Sequence, residues 1–209
     1  MIIETFTVGP LACNCTILAD EDTRVAMVID PGGDAEVILE RLRRRGFTVG
    51  TMISTHAHID HVSAIGDLQA ATGAPAAIHE QDMFLFENLD AQAGWLGVPP
   101  PKPGRIDRFL RHGESVAPGG LGVDVLHTPG HTPGSVTFHL ESDRNILFTG
   151  DTLFLGSVGR TDLWGGSMSD LMRSIRTHLL AFDDDTLVIP GHGPSTTIGR
   201  ECRENPFLR

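Results

Sequence analysis

The sequence is short of cysteine, short of positive charge and without a long apolar run, and each shortage removes a class of protein. Three cysteines, Cys13, Cys15 and Cys202, are too few and odd in number for a disulfide framework. Free thiols in a reducing compartment are expected. Sixteen Lys and Arg stand against 27 Asp and Glu, a formal charge of -11. Such a surface repels a phosphate backbone instead of releasing its counterions, so nucleic acid is not an expected partner. No stretch approaches the ~20 apolar residues of a membrane span. Met1 to Gly9 has neither the basic start nor the apolar core of a secretory signal. There is no low-complexity tract and no repeat of short period. These absences lead to the expectation of a cytoplasmic protein without nucleic-acid or membrane partners.

What is present is the composition of a soluble globular protein, 40% hydrophobic and 21% charged over 209 residues. That length buries a sizeable core and is read as one domain, 1-209. Apolar, β-branched runs predict strands at Ile2 to Val8, Cys13 to Leu18 and Val25 to Ile29, the last closed by the turn Asp30-Pro31-Gly32-Gly33. Cys13 and Cys15 share one face of their strand and are read as packing. From Asp34 a helix is predicted, with Ala35, Ile38, Leu39 and Leu42 on one face, Arg43 to Arg45 at its end and Gly46 as its stop. Val49 to Ser54 and Pro75 to Ile78 read as strands around a helix from Val62 to Thr72.

From His79 to Pro103 the pattern loosens. Met83, Phe84, Phe86 and Trp95 suggest a partly helical segment, read as core packing ahead of a pocket wall. Strands return at Val123 to Leu126, Ser135 to Leu140, Asn145 to Phe148 and Thr186 to Ile189. Between the last two lies a helix, opened by Ser167 and Asp170 as a capping box and striped by Met168, Leu171, Ile175 and Leu179. Strands in both halves with helices interspersed fit a layered αββα sandwich, within the wider set of α/β and α+β folds.

The chemistry lies in five of the ten histidines and two aspartates. His56, His58, Asp60 and His61 lie in one heptapeptide, His131 in His127-Thr128-Pro129-Gly130-His131, Asp151 after Gly150, and His192 in Pro190-Gly191-His192-Gly193. Each group follows an apolar run directly, so all would sit in loops at strand ends, where a rigid frame presents functional side chains. Gly130, Gly134, Gly150, Gly191 and Gly193 beside them fit tight turns or a close approach of backbone. Imidazole and carboxylate without thiolate suit Zn(II), Fe(II) or Mn(II). Seven donors exceed the needs of one zinc ion and are better shared by two divalent cations, zinc first, iron or manganese next. Coordination lowers the pKa of water from ~16 toward ~7, so a hydroxide held by the cations is the expected nucleophile, with Asp60 and Asp151 acting through it and no Ser or Cys required. His79, His112, His127, His139 and His178 lack this setting; His127 and His139 are candidates for supporting the ligands from behind.

The pattern HxHxDH at His56 to His61, with His131, Asp151 and His192, resembles the metallo-β-lactamase fold superfamily over nearly the whole chain. The resemblance implies an αββα sandwich. It assigns His56, His58 and His131 to one metal, Asp60, His61 and His192 to the other, and Asp151 to the bridge. Gly150 to Phe154, Ser157 to Asp162, and the ending from Gly191-His192-Gly193-Pro194 to Asn205-Pro206-Phe207-Leu208 are similar to the small bacterial glyoxalase II-like (hydroxyacylglutathione hydrolase-like) thioesterases. The implied reaction is hydrolysis of S-lactoylglutathione or a related acyl thioester. Full-length glyoxalase II carries a C-terminal helical domain that helps grip glutathione, whereas 17 residues follow His192 here, Gly193 to Arg209.

Arg160 is a candidate for binding a substrate carboxylate, with a structural salt bridge as the competing reading. Other readings stay open. One is a mononuclear-iron persulfide dioxygenase, a relative with a loop comparable to Gly159 to Asp162. The others are hydrolysis of another ester, a lactone, a lactam or a phosphoester, and a metal-binding module without turnover.

Overall fold

The computed structural model describes residues 1–209. Alternation along the strands decides the architecture, because every strand of a buried sheet must satisfy two faces at once. In β1 (Ile2–Val8), β2 (Cys13–Ala19), β3 (Val25–Ile29), β4 (Thr48–Ile53), β5 (Ala76–His79) and β6 (Arg108–Leu110), neighbours in sequence are neighbours in one six-stranded sheet. Its first three strands run antiparallel, joined by turns, and β3 to β6 run parallel. The parallel part needs crossovers, supplied by α1 (Ala35–Arg45) and by α2 (Ile59–Val62) with α3 (Ile65–Thr72). A second six-stranded sheet has the order β14-β13-β10-β9-β8-β7. Its members are β7 (Ser115–Val116), β8 (Val123–His127), β9 (Val136–Leu140), β10 (Ile146–Gly150), β13 (Leu187–Pro190) and β14 (Thr196–Thr197). The small hairpin of β11 (Leu153–Phe154) and β12 (Ser157–Val158) stands beside it.

Three apolar cores separate four layers. Ile17, Val28 and Met52 face α1 and α3 through Ile38, Leu39, Leu42, Ile65 and Leu68. Their sequence neighbours Leu18, Met27 and Ile53 point the opposite way, onto Val125, Phe138, Phe148 and Ile189 of the second sheet. Leu147 and Val188, one residue out of step with Phe148 and Ile189, face α6 (Met168–Ser174), its π-helical continuation Ile175–Leu179, and α7 (Ile198–Glu204) through Leu171, Ile175, Leu179 and Ile198. The result is the αββα sandwich. No helix is long and apolar enough to cross a membrane.

Several expectations shift in detail. The helix read over Val62 to Thr72 is broken at Ser63 and Ala64, and an extra turn, α2, precedes the break to carry Asp60 and His61. The loosened stretch after His79 forms α4 (Met83–Phe86) and α5 (Leu89–Leu96), while α7 and the short strands β6, β7, β11, β12 and β14 carry too few residues to show a period. The capping box at Ser167 is half formed. Its hydroxyl accepts the Asp170 N–H, but the Asp170 carboxylate takes Arg173 and the Ser167 N–H goes to the Gly130 carbonyl.

Candidate metal centre

The ends of β3, β4, β8, β10 and β13 lie on one edge of the sandwich, so that the loops after them converge. Asp30 follows β3, His56 to His61 follow β4, His131 follows β8, Asp151 follows β10 and His192 follows β13. All seven residues singled out in the sequence meet there, in groups whose donor atoms lie within 4.8 Å of one another: His56, His58 and His131; Asp60, His61 and His192; and Asp151 with His56 and His61. Asp151 stands between the first two sets. Its Oδ2 lies 3.6 Å from His131 Nε2, and its Oδ1 lies 3.5 Å from His61 Nε2 and 3.8 Å from His192 Nε2.

The outward nitrogens of four imidazoles each face an acceptor, and this favours the proton on that nitrogen. His131 Nδ1 donates to the Arg160 carbonyl at 2.7 Å, His61 Nδ1 to Asp30 at 3.1 Å and His192 Nδ1 to the Ala12 carbonyl at 3.3 Å. For His56 the partner is the Thr55 hydroxyl at 3.2 Å, whose own proton is committed to Asp30 at 2.8 Å. In each ring the Nε2 lone pair is therefore aimed inward.

That arrangement fits a cation. His56 Nε2 and His131 Nε2 face the same His58 Nδ1 at 3.1 and 2.9 Å, and one proton on His58 could serve only one of them. Burial, with the neighbouring imidazoles, pushes His56 well below the ordinary histidine range and His58 to about 3, so these two are neutral donors at pH 7. Asp151 Oδ1 is buried without any hydrogen-bond donor, a costly state for a carboxylate oxygen unless a cation completes it. Burial opposes ionisation of Asp60, but His61 and His192 outweigh it and hold that carboxyl below the usual range. The donors have the composition and convergence of a two-cation site, with Asp151 offering one oxygen to each half.

Three buried polar residues that the sequence did not single out hold these loops. Asp30, in left-handed backbone at φ 51, accepts the Thr55 N–H at 2.6 Å as well as the Thr55 hydroxyl and His61. Asp82 accepts the Ala57 N–H at 3.0 Å, the Thr132 hydroxyl at 2.8 Å and the Gly134 N–H at 2.6 Å. Gln92 of α5 accepts the Ile59 N–H at 2.9 Å and donates to the Leu85 carbonyl. A carboxylate directly after an apolar strand was the available signal for Asp30. Nothing local distinguishes Asp82 or Gln92 from surface residues.

Cys13 and Cys15 are buried free thiols, and Cys13 also places its sulfur 3.5 Å from His61 Nδ1. Burial pushes the Cys13 thiol up to about 11, so it is uncharged. His127 stacks on His79 and reaches the Pro133 carbonyl at 2.9 Å, near the His131 loop, without touching a ligand imidazole. His139 pairs with Asn145 and supports nothing in the centre. Arg160 forks onto Asp162 at 2.7 and 2.8 Å, which is the competing salt-bridge reading, while also lining the cleft over the centre.

A family model for the metallo-beta-lactamase superfamily matches residues 8–192. The chain belongs to that superfamily. Among superfamily members, the hydroxyacylglutathione hydrolase GloC of Haemophilus influenzae is 41% identical over 215 residues, covering 100% of this chain and 98% of that protein. The solved structure of BLEG-1, a B3 metallo-beta-lactamase, superposes with a TM-score of 0.91 at 36% identity, covering 99% of each chain. TTHA1623 in a di-iron-bound form superposes at 0.89 with 39% identity, covering 98% of this chain and 100% of that one. Metallo-hydrolase chemistry is thus common ground, while the named substrates of these superfamily members differ.

Proposed function

We propose that this chain is a binuclear metallohydrolase of the glyoxalase II-like kind, a thioesterase that cleaves small acyl thioesters, S-lactoylglutathione being the candidate that the likeness to a hydroxyacylglutathione hydrolase supplies. The observation that carries this reading is the pair of His/Asp donor sets joined through the two oxygens of Asp151. The full-length similarity to a hydroxyacylglutathione hydrolase supports the thioester part. His56, His58 and His131 would hold one ion and Asp60, His61 and His192 the other, zinc first; the di-iron form of TTHA1623 keeps iron beside it, and manganese suits the same donors. When bound, the ions supply Lewis acidity and a water whose pKa is brought near neutrality.

The chain's own part is to fix geometry. Asp30, the Arg160 carbonyl and the Ala12 carbonyl hold the imidazole protons on the outward side, so no ligand must reorient during turnover. The cleft over the centre, about 330 Å³ and lined by Leu11, Ile59, Leu85, Trp95 and Trp164 among others, receives the substrate and excludes bulk water from its apolar wall. In hydrolysis a C–O bond forms at the acyl carbon as the C–S bond breaks and its electron pair leaves with sulfur. A thiolate departs without strong acid assistance, which fits a cleft in which Asp60 and Asp151 are the nearest carboxylates and both would be engaged as ligands. The Arg160–Asp162 pair is exposed, and screening by solvent leaves such a pair weak. Arg160 can therefore exchange Asp162 for a substrate carboxylate at small cost.

Purified protein assayed with S-lactoylglutathione and other thioesters, with elemental analysis alongside, tests the proposal. Two metal equivalents and thioester turnover are expected. One iron per chain with persulfide-dependent oxygen uptake would favour the dioxygenase, and two metals with no turnover would leave a binding module. We further propose a cytoplasmic monomer or homodimer without nucleic-acid or membrane partners.

A further inference from the structure

Most soluble proteins scatter their exposed large apolar side chains, but here five of the eleven gather beside the metal centre. Leu11, Trp95, Leu96, Leu163 and Trp164 are each more than a third exposed, and all five line the one cleft that also contains His58, Asp60, His131 and Asp151. Trp95, at 61% exposure, meets Trp164 in a T-shaped contact with ring centroids 4.2 Å apart. An indole left that open forgoes burial unless something covers it.

The two indoles are carried by segments bonded to the ligand loops. Trp95 lies one helical turn beyond Gln92, whose side chain accepts the Ile59 N–H between His58 and Asp60. Trp164 precedes Gly165, which packs so closely on Pro133 that an added Cβ would stand 2.5 Å from its ring, and the Ser167 N–H is bonded to the Gly130 carbonyl beside His131. The aromatic corner therefore keeps a fixed relation to the reacting centre.

Charge is sparse by comparison. Apart from the ligand carboxylates Asp60 and Asp151, the cleft holds one charged group, Arg160, already forked by Asp162. A glutathione moiety brings two carboxylates and an ammonium to a wall of leucine and tryptophan that can pair one of them.

We infer that the Trp95–Trp164 corner is a specificity subsite for an apolar substituent, an aryl or branched alkyl group on the acyl or the thiol side of the thioester, and that such thioesters are hydrolysed in preference to S-lactoylglutathione. The inference rests on the thioesterase reading above for its reaction, and on the corner alone for its ligand class. Trp95 and Trp164 are the chain's two tryptophans, so intrinsic tryptophan emission reports this subsite and nothing else.

The test has two readouts on the metal-loaded protein. The first compares kcat/KM for S-lactoylglutathione, S-phenylacetylglutathione and the benzyl thioester of lactate, which separates an acyl-side from a thiol-side aryl group. At least one aryl substrate should exceed S-lactoylglutathione by about tenfold or more, and Trp95→Ala and Trp164→Ala should erase that difference through KM. The second is saturable quenching or shift of tryptophan emission by a benzyl thioether, which cannot be hydrolysed, with none from S-methylglutathione. Quenching without turnover of any thioester would sink the thioesterase reading and leave the subsite standing. S-lactoylglutathione turned over at least as well as the aryl substrates, with no saturable emission change, would overturn the subsite and leave the thioesterase reading intact. An aryl preference that survives both alanine variants would also overturn it.

Discussion

The Asp82 carboxylate accepts the Thr132 hydroxyl at 2.8 Å across 50 positions of sequence, and with its bonds to the Ala57 and Gly134 N–H groups it joins the loop after β4 to the loop after β8. His58 and His131, one from each loop, are thereby set 2.9 Å apart, nitrogen to nitrogen. Asp82 is fully buried; burial pushes its carboxyl up, and the three donors offset part of that push.

Replacing Asp82 by Asn keeps the shape but presents an NH2 group to one of those donors. An unsatisfied buried donor costs about 1–3 kcal/mol, and for a domain this size each kcal/mol lowers Tm by about 2–4 °C. Because the variant also loosens the spacing of two ligand loops, metal affinity should fall about 10- to 100-fold. Competition with a chelating indicator measures this, and wild-type affinity would show that Asp82 stabilises the fold without setting the site.

Gly191→Ala should act inside the centre. A Cβ at Gly191 would stand 2.2 Å from Asp151 Oδ1 and 2.7 Å from His61 Cε1, both side-chain atoms of the centre, and 3.1 Å from the Gly150 carbonyl carbon. Loss of one metal equivalent is the expected result by elemental analysis, along with loss of turnover. Two equivalents at unchanged kcat would contradict the close approach. Gly130, at φ 142 and with a built Cβ only 2.2 Å from the Leu171 nitrogen, is constrained by α6 instead. Gly130→Ala should lower expression and Tm before it alters chemistry.

How much of this could be read from the chain depended on reach. The seven ligand-type residues announced themselves because imidazoles and carboxylates clustered in Gly-bearing turns after apolar runs, and the strands carrying them were legible from alternation. Asp82, Gln92 and Asp30 did not, because a buried polar residue is recognised by its partners, and those lie 25 to 52 positions away for the carboxylates. The Met83 to Trp95 stretch divided between both readings. Leu85 and Phe86 entered the core, whereas Trp95 stayed exposed on the cleft wall. Periodicity cannot separate these outcomes in helices as short as α4.

Arg160→Ala should raise KM for thioesters bearing a carboxylate while leaving kcat close to wild type. The carbonyl that orients His131 belongs to the backbone and survives the substitution. Unchanged KM and kcat would limit the side chain to its surface pair with Asp162.

Removing metal should abolish turnover and lower Tm. A ligand that binds only the folded chain stabilises it by RT ln(1 + [L]/Kd), about 2.7 kcal/mol at a hundredfold excess over Kd. That corresponds to about 5–11 °C for a domain of this size. Differential scanning calorimetry before and after chelation checks the shift, and activity that persists after complete chelation refutes the mechanism.

His79 gives the molecule an acid limit separate from the centre. Burial, with His127 stacked on it at 4.1 Å, lowers His79 to about 4 from the 6.5 of a free imidazole. Between those values the unfolded chain binds the proton and the folded chain does not, so this contribution is complete above about pH 6.5 and is lost as pH falls through 4. Urea midpoints measured from pH 7 to pH 4.5 should fall less steeply in His79→Gln than in the wild type. Parallel curves would assign the acid sensitivity elsewhere.

The division of donors between the two sheets has a consequence for biosynthesis. His56, His58, Asp60 and His61 follow a strand of the first sheet; His131, Asp151 and His192 follow strands of the second, with His192 close to the end of the chain. Neither set of three is completed by the first sheet alone, since His131 and His192 must each arrive from the other half. A nascent chain that has made only its N-terminal sheet therefore offers a cation an incomplete grip. Full loading would then be coupled to closure of the sandwich, and a cation bound across the seam would act as the clasp that keeps the finished halves together.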